Sequence, residues 1–151
     1  MTTTTIRRAA LADRDAAWAI VDEYNRAVDV VVRDDPATFA HYLNGPGALW
    51  LAEDGGVAVG CVAMRPLAEI SPRACEVKRL YVRPSHRGRG TAAALMDALE
   101  AFARANGFEA AFLDTKDDLH DAIRFYERRG YERIPRYNDN PQATIFMRRS
   151  L

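Results

Sequence analysis

A short basic segment rich in glycine stands between a predicted strand and a predicted helix. It is the segment Arg87–Ala92, which reads Arg-Gly-Arg-Gly-Thr-Ala. The first N–H groups of a helix lack partners within the helix, and the helix dipole makes that end positive. Glycine lets the backbone approach an anion closely, because it carries no Cβ. The segment therefore predicts an anion cradle that suits a pyrophosphate best.

A plain surface turn stays open as an alternative for this segment, whereas a Walker loop and a dinucleotide fingerprint fit it less well. An exposed turn rich in Arg and Gly would have the same composition. A Walker loop would need Gly-Lys-Ser or Gly-Lys-Thr, which the sequence does not contain, and a dinucleotide fingerprint needs three spaced glycines where only Gly88 and Gly90 occur.

Two motifs give the chain a family resemblance. Arg87–Ala92 resembles the Arg/Gln-x-x-Gly-x-Gly/Ala signature of the GCN5-related N-acetyltransferase (GNAT) superfamily. Further along, Ala122–Tyr131 (Ala-Ile-Arg-Phe-Tyr-Glu-Arg-Arg-Gly-Tyr) resembles the second motif of the family, Ala-x-x-x-Tyr-x-x-x-Gly-Phe/Tyr. The order of the motifs and of the predicted elements also matches the family. One departure is Leu119, which stands where many members carry an Asn that contacts the cofactor.

The resemblance implies a cosubstrate and its site. In GNAT proteins the glycine-rich loop binds the pyrophosphate of acetyl-CoA, and the main chain of the strand before it hydrogen-bonds the pantetheine arm. No metal is implied, and no Cys/His cluster has metal-ligand spacing. The residues that this implies for acetyl-CoA binding are Leu80, Tyr81, Val82, Arg87, Gly88, Arg89, Gly90, Thr91 and Ala92.

Tyr126 is the predicted catalytic acid. Acetyl transfer to an amine requires that an ammonium lose a proton, that an oxyanion find a donor, and that the departing thiolate be protonated. In GNAT enzymes the Tyr at this position lies beside the cofactor sulfur, and a phenol with a pKa near ~10 can protonate a thiolate. Helical periodicity alone would equally fit a core tyrosine.

Glu76 is the predicted base, because the family often carries a catalytic Glu four residues before the pantetheine-binding stretch that begins at Leu80. Residues two apart in a strand share a face, so Glu76 is expected on the side of Lys78, Leu80 and Val82. A carboxylate on an apolar central strand is costly to bury, which favours a functional role. The alternative is an ion pair with Lys78 or Arg79.

Other polar residues have open or minor roles. Asp114 ends the next predicted strand and could hold the ammonium of the acceptor or cap the following loop. The main-chain N–H of Leu80 or a neighbour is the expected oxyanion donor. His86 and His120 are expected to face solvent in loops, and the role of His41 stays open.

The acceptor is expected to be a small-molecule or peptide amine. In the GNAT fold the early helices and the last hairpin line the acceptor pocket, which here implies Tyr24–Leu43 and Pro135–Thr144. Arg33 with Arg136 would suit an acceptor that carries a carboxylate, such as an amino acid. An acidic set would instead suit a polyamine or an aminoglycoside, namely Asp34, Asp35 and Asp139.

Periodicity and turn residues place these side chains on a mixed α/β fold. We predict one domain over residues 1–151, with a GNAT-like, mostly antiparallel sheet of about six to seven strands and about four helices. Predicted strands are Thr4–Ala9, Ala48–Glu53, Val57–Arg65, Cys75–Val82, Phe108–Asp114, Tyr131–Pro135 and Thr144–Arg148. Predicted helices are Asp13–Val32, a shorter one from Pro36, Thr91–Asn106 and Leu119–Arg129.

Composition limits the partners. Lys plus Arg and Asp plus Glu both total 21, so the formal net charge of zero gives no general attraction to nucleic acid or a membrane. No apolar stretch approaches the ~20 residues of a bilayer span, and no secretory leader is recognisable, so a cytoplasmic location is expected. Cys61 and Cys75 are expected to be buried and reduced, although neighbouring strands would allow a disulfide. A homodimer stays open.

Two functions of different classes fit these residues. One is an acetyl-CoA-dependent N-acetyltransferase, and the other is a non-catalytic acetyl-CoA-binding sensor or regulatory module. Tyr126 and Glu76 favour the enzyme, because a pure binder has no need of them. An RNA-binding role fits poorly, because the Arg-rich loop lacks interleaved aromatic residues.

Overall fold

The computed structural model describes residues 4–31 and 33–151, which form one seven-stranded sheet with helices on both faces. The strands are β1 (Thr4–Arg8), β2 (Ala48–Asp54), β3 (Val57–Pro66), β4 (Ala74–Val82), β5 (Ala110–Thr115), β6 (Glu132–Ile134) and β7 (Ile145–Ser150). The helices are α1 (Arg14–Ala27), α2 (Pro36–Ala40), α3 (Thr91–Ala105) and α4 (His120–Arg128). The predicted α/β class is confirmed.

The sheet has the order β1-β2-β3-β4-β5-β7-β6, and its pairs are antiparallel except for β4 with β5. This parallel pair is short: its register ends where Glu76 lies opposite Phe112. Beyond that point the two strands diverge. The divergence leaves a wedge in the middle of the sheet, and the wedge opens toward the carboxyl ends of both strands.

A β-bulge changes the direction of the side chains along β4. The β3–β4 register shifts between Cys61 and Ala63, and Arg79 has a left-handed φ of 61°. After this extra residue, Val82 shares the α3-side core with Val77, and Leu80 packs against the same core. Glu76 therefore faces the opposite side from Leu80 and Val82. The prediction of a common face was wrong because simple alternation does not continue through a bulge.

Each face of the sheet has its own apolar core. On one face α3 buries Leu95, Met96 and Leu99 completely. On the other face Ile20 of α1 and Phe39 of α2 form a second core with the sheet. Burying a side chain of this size stabilises the fold by about 1.5–3 kcal/mol, so the two cores fix the helices on either side of the wedge.

The first long helix is shorter than predicted. It ends at Ala27 because Asp29 adopts a φ of 54° and the Val30 N–H returns to the carbonyl of Asn25 at 2.8 Å. Val32, the predicted end, lies outside the described residues. None of the helices within the described ranges has the length and apolar character needed to cross a bilayer.

Cys61 and Cys75 are both free and fully buried. They belong to different cores, Cys61 to the α1 side and Cys75 to the α3 side, so the sheet itself separates them. Burial raises the pKa of each thiol to about 12. The two thiols are therefore structural and protonated.

Candidate active site

A cavity of about 790 Å³ opens in the wedge between β4 and β5. This cleft is bordered by the second half of β4, the loop before α3, the first turn of α3, the end of β5 and α4. Its volume is typical of a site for a cofactor-sized ligand. The lining includes Tyr126, Glu76 and all the predicted cofactor residues except Arg89, namely Leu80, Tyr81, Val82, Arg87, Gly88, Gly90, Thr91 and Ala92.

The glycine-rich loop forms a cradle at one end of the cleft. Gly88 and Gly90 have φ values of 75° and 78°, and Gly90 caps the N-terminus of α3. A Cβ on either glycine would meet nothing within 4 Å, so the backbone conformation, rather than crowding, requires glycine. The helix ladder begins with the bond from the Ala94 N–H to the Gly90 carbonyl, which leaves earlier N–H groups for an anion.

Arg87 is held at the mouth of this cradle. Its Nε donates to the Val82 carbonyl at 2.8 Å, and its guanidinium lies over the Tyr81 ring. These contacts tie the loop to the end of β4. The charge of Arg87 therefore stays beside the first turn of α3.

His86 is not the solvent-facing residue that we predicted. Its Nε2 lies 2.8 Å from Oδ2 of Asp54, and its Nδ1 lies 2.8 Å from Oγ of Ser85. The imidazole thus connects the β2–β3 hairpin to the cofactor loop. His120 is exposed as predicted, and His41 is exposed at the end of α2.

Tyr126 projects from α4 into the cleft. Its side chain is buried, and its ring packs edge-on against Tyr131, with 5.7 Å between the ring centroids. Within residues 4–31 and 33–151 its hydroxyl has no hydrogen-bond partner. Burial raises the pKa of Tyr126 above its ordinary value, so the hydroxyl keeps its proton at neutral pH.

A buried carboxylate behind Tyr126 was not predicted. Glu100 of α3 is only 2% exposed and accepts hydrogen bonds from Tyr131 Oη at 2.8 Å, Arg129 Nη2 at 2.8 Å and Arg149 Nη1 at 2.7 Å. This network fixes Tyr131, which in turn packs against Tyr126. The available signal was a Glu on the otherwise apolar face of α3.

Glu76 lies at the other end of the cleft, and its carboxylate is 3% exposed. Oε1 accepts from Arg65 Nε at 2.9 Å, and Oε2 accepts from the Tyr137 hydroxyl at 2.7 Å. Lys78 Nζ lies 3.7 Å from Oε1. The ion pair with Lys78 that we considered as an alternative is therefore present, and two further partners, Arg65 and Tyr137, were missed.

Arg79 does not pair with Glu76. The bulge turns it toward α2, where its Nη2 lies 3.3 Å from Oδ2 of Asp34, and both side chains are nearly buried. Tyr24 borders the same part of the cleft, and burial raises its pKa above the ordinary value. Tyr24 and Arg79 therefore line the cleft on the α1 side, and Asp34 holds Arg79 in place.

Asp114 reaches the cleft from the end of β5. Its Oδ2 accepts from Asn138 Nδ2 at 2.6 Å, and its Oδ1 accepts from Asn140 Nδ2 at 3.4 Å. Both partners are neutral amides. In the part of the chain that the structure describes, no cationic side chain forms an ion pair with Asp114, which distinguishes it from Glu76.

The β6–β7 loop meets the segment after α1 beside the cleft. Gln142 Nε2 donates to the Asp29 carbonyl at 2.8 Å, and its Oε1 accepts from the Val31 N–H at 2.8 Å. Val28 and Asn140, close to this bridge on either side, both line the cleft. Gln142 thus joins the two predicted acceptor segments.

The arginines that we considered for a substrate carboxylate are engaged elsewhere. Arg136 Nη2 donates to the Ala143 carbonyl at 2.7 Å, and its guanidinium lies over Phe146. Arg33 Nε donates to the Val30 carbonyl at 2.9 Å. Neither lines the cleft.

Comparison with known proteins gives consistent matches. The model of the acetyltransferase (GNAT) family matches residues 14–131. An uncharacterized N-acetyltransferase of Schizosaccharomyces pombe is 36% identical over 104 residues, which are 68% of this chain and 63% of that protein. The rat N-acetyltransferase family 8 member 2 is 37% identical over 98 residues, 64% of this chain and 43% of that protein. The chain spans roughly half the length of such relatives.

Solved structures show the same fold. A GNAT-family acetyltransferase of Staphylococcus aureus superposes with a TM-score of 0.84 at 19% identity, over 98% of this chain and 99% of that one. Arabidopsis thaliana NAA60, crystallised in complex with acetyl-CoA, superposes with a TM-score of 0.75 at 18% identity, over 99% of each chain.

Proposed function

The chain belongs to the acetyltransferase (GNAT) family, and on that basis we propose that it transfers the acetyl group of acetyl-CoA to an amine by direct attack in a ternary complex. The acceptor is an amine of a small molecule or peptide. One observation carries this proposal: a single cleft joins the glycine cradle to Tyr126 and to two carboxylates. A protein that only bound the cofactor would need the cradle alone.

The cradle fits acetyl-CoA. Gly88 and Gly90 line the cleft with positive φ, and the start of α3 adds its dipole. Arg87, which lines the cleft, is proposed to supply charge for the phosphates, and the main chain of Leu80–Val82 is proposed to hold the pantetheine arm. Arg89 lies outside the cleft lining, so its predicted contact with the phosphates stays a prediction. When bound, acetyl-CoA supplies the acetyl group as a thioester.

Tyr126 is proposed as the acid that protonates the departing sulfur. Its buried hydroxyl lines the cleft, keeps its proton at neutral pH and has no competing partner among the described residues. The main-chain N–H of Leu80 is the proposed oxyanion donor, because β4 has no β5 partner after Glu76.

The base can be assigned by comparing the two carboxylates. Glu76, which we predicted from the sequence, is already bound by Arg65 and Tyr137. Asp114 has only amide partners and lies nearer the open end of the wedge. We therefore propose that Asp114 holds the ammonium and accepts its proton, and that Glu76 positions Lys78 and Tyr137. The assignment of Glu76 as the base stays a prediction, and the dependence of kcat/KM on pH in variants of Asp114 and Glu76 tests both assignments.

The test is an acetyl-CoA turnover assay with detection of the free thiol, run against a panel of primary amines, together with calorimetry of acetyl-CoA binding. We expect binding and acceptor-dependent thiol release. Binding without release on any amine would overturn the proposal and favour a sensor or regulatory module.

A further inference from the structure

We propose that the acceptor is an amino acid, with its ammonium bound by Asp114 and its carboxylate bound by Lys78. This inference rests on the proposed function and deepens it. The two side chains stand on the two strands that form the wedge.

Lys78 and Asp114 occupy equivalent positions on β4 and β5. The last paired residues are Glu76 and Phe112, and each of the two charged residues follows its strand's last paired residue by two positions. Both therefore point to the face of the sheet where Glu76 and Phe112 lie. Continued pairing would bring their opposite charges together. Instead the strands diverge, both residues line the cleft, and the structure forms no ion pair between them in its described ranges.

The ammonium group of Lys78 donates no hydrogen bond to any of the described residues. Its one ion pair within 4 Å among the described residues is with Glu76 Oε1, and the 3.7 Å separation is beyond hydrogen-bond distance. Glu76 is itself satisfied by Arg65 Nε at 2.9 Å and by Tyr137. The side chain of Lys78 is 28% exposed and lines the cleft. A substrate carboxylate would complete its hydrogen bonding.

Asp114, in turn, has no cationic partner among the described residues. Two asparagine side chains orient its carboxylate without neutralising its charge. A carboxylate in a part-buried site is stabilised by a cation that also hydrogen-bonds it. The ammonium of the acceptor supplies that cation beside Tyr126.

Other acceptor classes fit the cleft less well. A polyamine or an aminoglycoside needs several available carboxylates. Asp34 is paired with Arg79, Asp35 accepts from the Thr38 N–H at 2.8 Å as the cap of α2, and Asp139 is exposed outside the cleft lining. Asp114 and Lys78 offer one anion and one cation on the two strands of the wedge and so match a zwitterion, whereas the exposed cation Arg128 lines the cleft from α4.

The experiment compares matched acceptors by thiol release. Each standard amino acid is assayed beside its α-amide and its decarboxylated amine. We expect the preferred amino acid to exceed both analogues in kcat/KM by about tenfold or more, as expected for a charge-assisted hydrogen bond. Lys78→Gln should raise KM for the amino acid by a similar factor with a smaller change in kcat, and thereby remove the preference. Lys78→Glu should reverse it in favour of diamines.

The control is Arg104→Gln, which removes a cation from the exposed surface of α3 outside the cleft lining. It should keep the preference for the amino acid. Equal kcat/KM for an amino acid and its amide, or an equal loss on all three acceptors in Lys78→Gln, would overturn the inference while leaving the transferase proposal standing.

A second readout separates the two proposals. Calorimetry measures the binding of amino acids to the protein saturated with CoA, which requires no chemistry. Binding that Lys78→Gln weakens by about tenfold supports the inference even if no acceptor is turned over. Absence of such binding overturns it.

Discussion

The hydroxyl of Tyr137 donates a hydrogen bond of 2.7 Å to Glu76, which precedes it by 61 residues. The bond joins the β6–β7 loop to the central strand β4 underneath the cleft. Burial and the neighbouring Glu76 carboxylate raise the pKa of Tyr137 well above its ordinary value, so its hydroxyl remains a donor at neutral pH. Glu76 is therefore part of the framework of the proposed acceptor site.

The two carboxylates can be distinguished by pH profiles. We expect Asp114→Asn to lower kcat/KM near pH 7 by roughly the 10²–10⁴ of a lost general base, and to recover much of it at high pH, where the amine arrives deprotonated. Glu76→Gln should lower activity in parallel across the pH range. Tyr137→Phe, which removes one hydrogen-bond donor from Glu76, is the matched control for Glu76→Gln and should likewise lower activity in parallel across the pH range. Recovery at high pH in Glu76→Gln instead would return the base role to Glu76.

Tyr126→Phe removes the proposed acid while keeping the ring. We expect unchanged affinity for acetyl-CoA and a fall in kcat of roughly 10²–10⁴. Because burial raises the pKa of Tyr126 above its usual value, the wild-type acid stays protonated as pH rises through ~10. Tyr42→Phe, a buried tyrosine outside the cleft lining, should keep its rate. Equal rates for Tyr126→Phe and wild type would remove the acid role.

Two glycines at opposite ends of α3 test the cradle. Gly90 has a φ of 78° and Gly107 a φ of 85°, and a Cβ on either would be unobstructed. Substituting Glu at either position should cost a similar amount, about 1–2 kcal/mol, in the free energy of unfolding. Only Gly90→Glu should lose acetyl-CoA binding, because only it places a carboxylate at the cradle. Calorimetry with equal affinities in both variants would contradict the proposed phosphate site.

The thiols of Cys61 and Cys75 should not react with thiol reagents in the folded protein. Burial raises the pKa of both to about 12, so the reactive thiolate is scarce at pH 8 and shielded from solvent. We expect no reaction with a thiol reagent until denaturant is added, and then two equivalents per chain. Reaction of the native protein would show that one of the two cores opens.

The lining of the cleft at the glycine-rich loop was largely predictable from sequence, because local signals define the conformation of that loop. The loop from Arg87 to Gly90 encodes its own conformation through positive-φ glycines at a helix start. Tyr126 follows from a motif within one helix. Both signals are local in sequence, although contacts with Asp54 and Glu100 support them in the folded protein.

The acceptor end depends on contacts that local patterns do not encode. The partners of Glu76 come from β3 and from the β6–β7 loop, and the Gln142 bridge spans more than 100 residues of sequence. The bulge at Arg79 was missed because a residue of ordinary type adopts the left-handed conformation. Because the prediction assumed simple alternation along β4, it placed Leu80 and Val82 on the same face as Glu76, which is the wrong face.

The extra residue at Arg79 also has an evolutionary consequence. It divides β4 into a first half that carries Glu76 and Lys78, beside the proposed acceptor site, and a second half that leads into the glycine-rich loop. The proposed function implies that substitutions in the first half change acceptor selectivity and leave acetyl-CoA binding unchanged. A deletion of one residue there would instead restore alternation and exchange the faces of everything before it, so point substitutions offer a far shorter route to a new acceptor than changes in strand length.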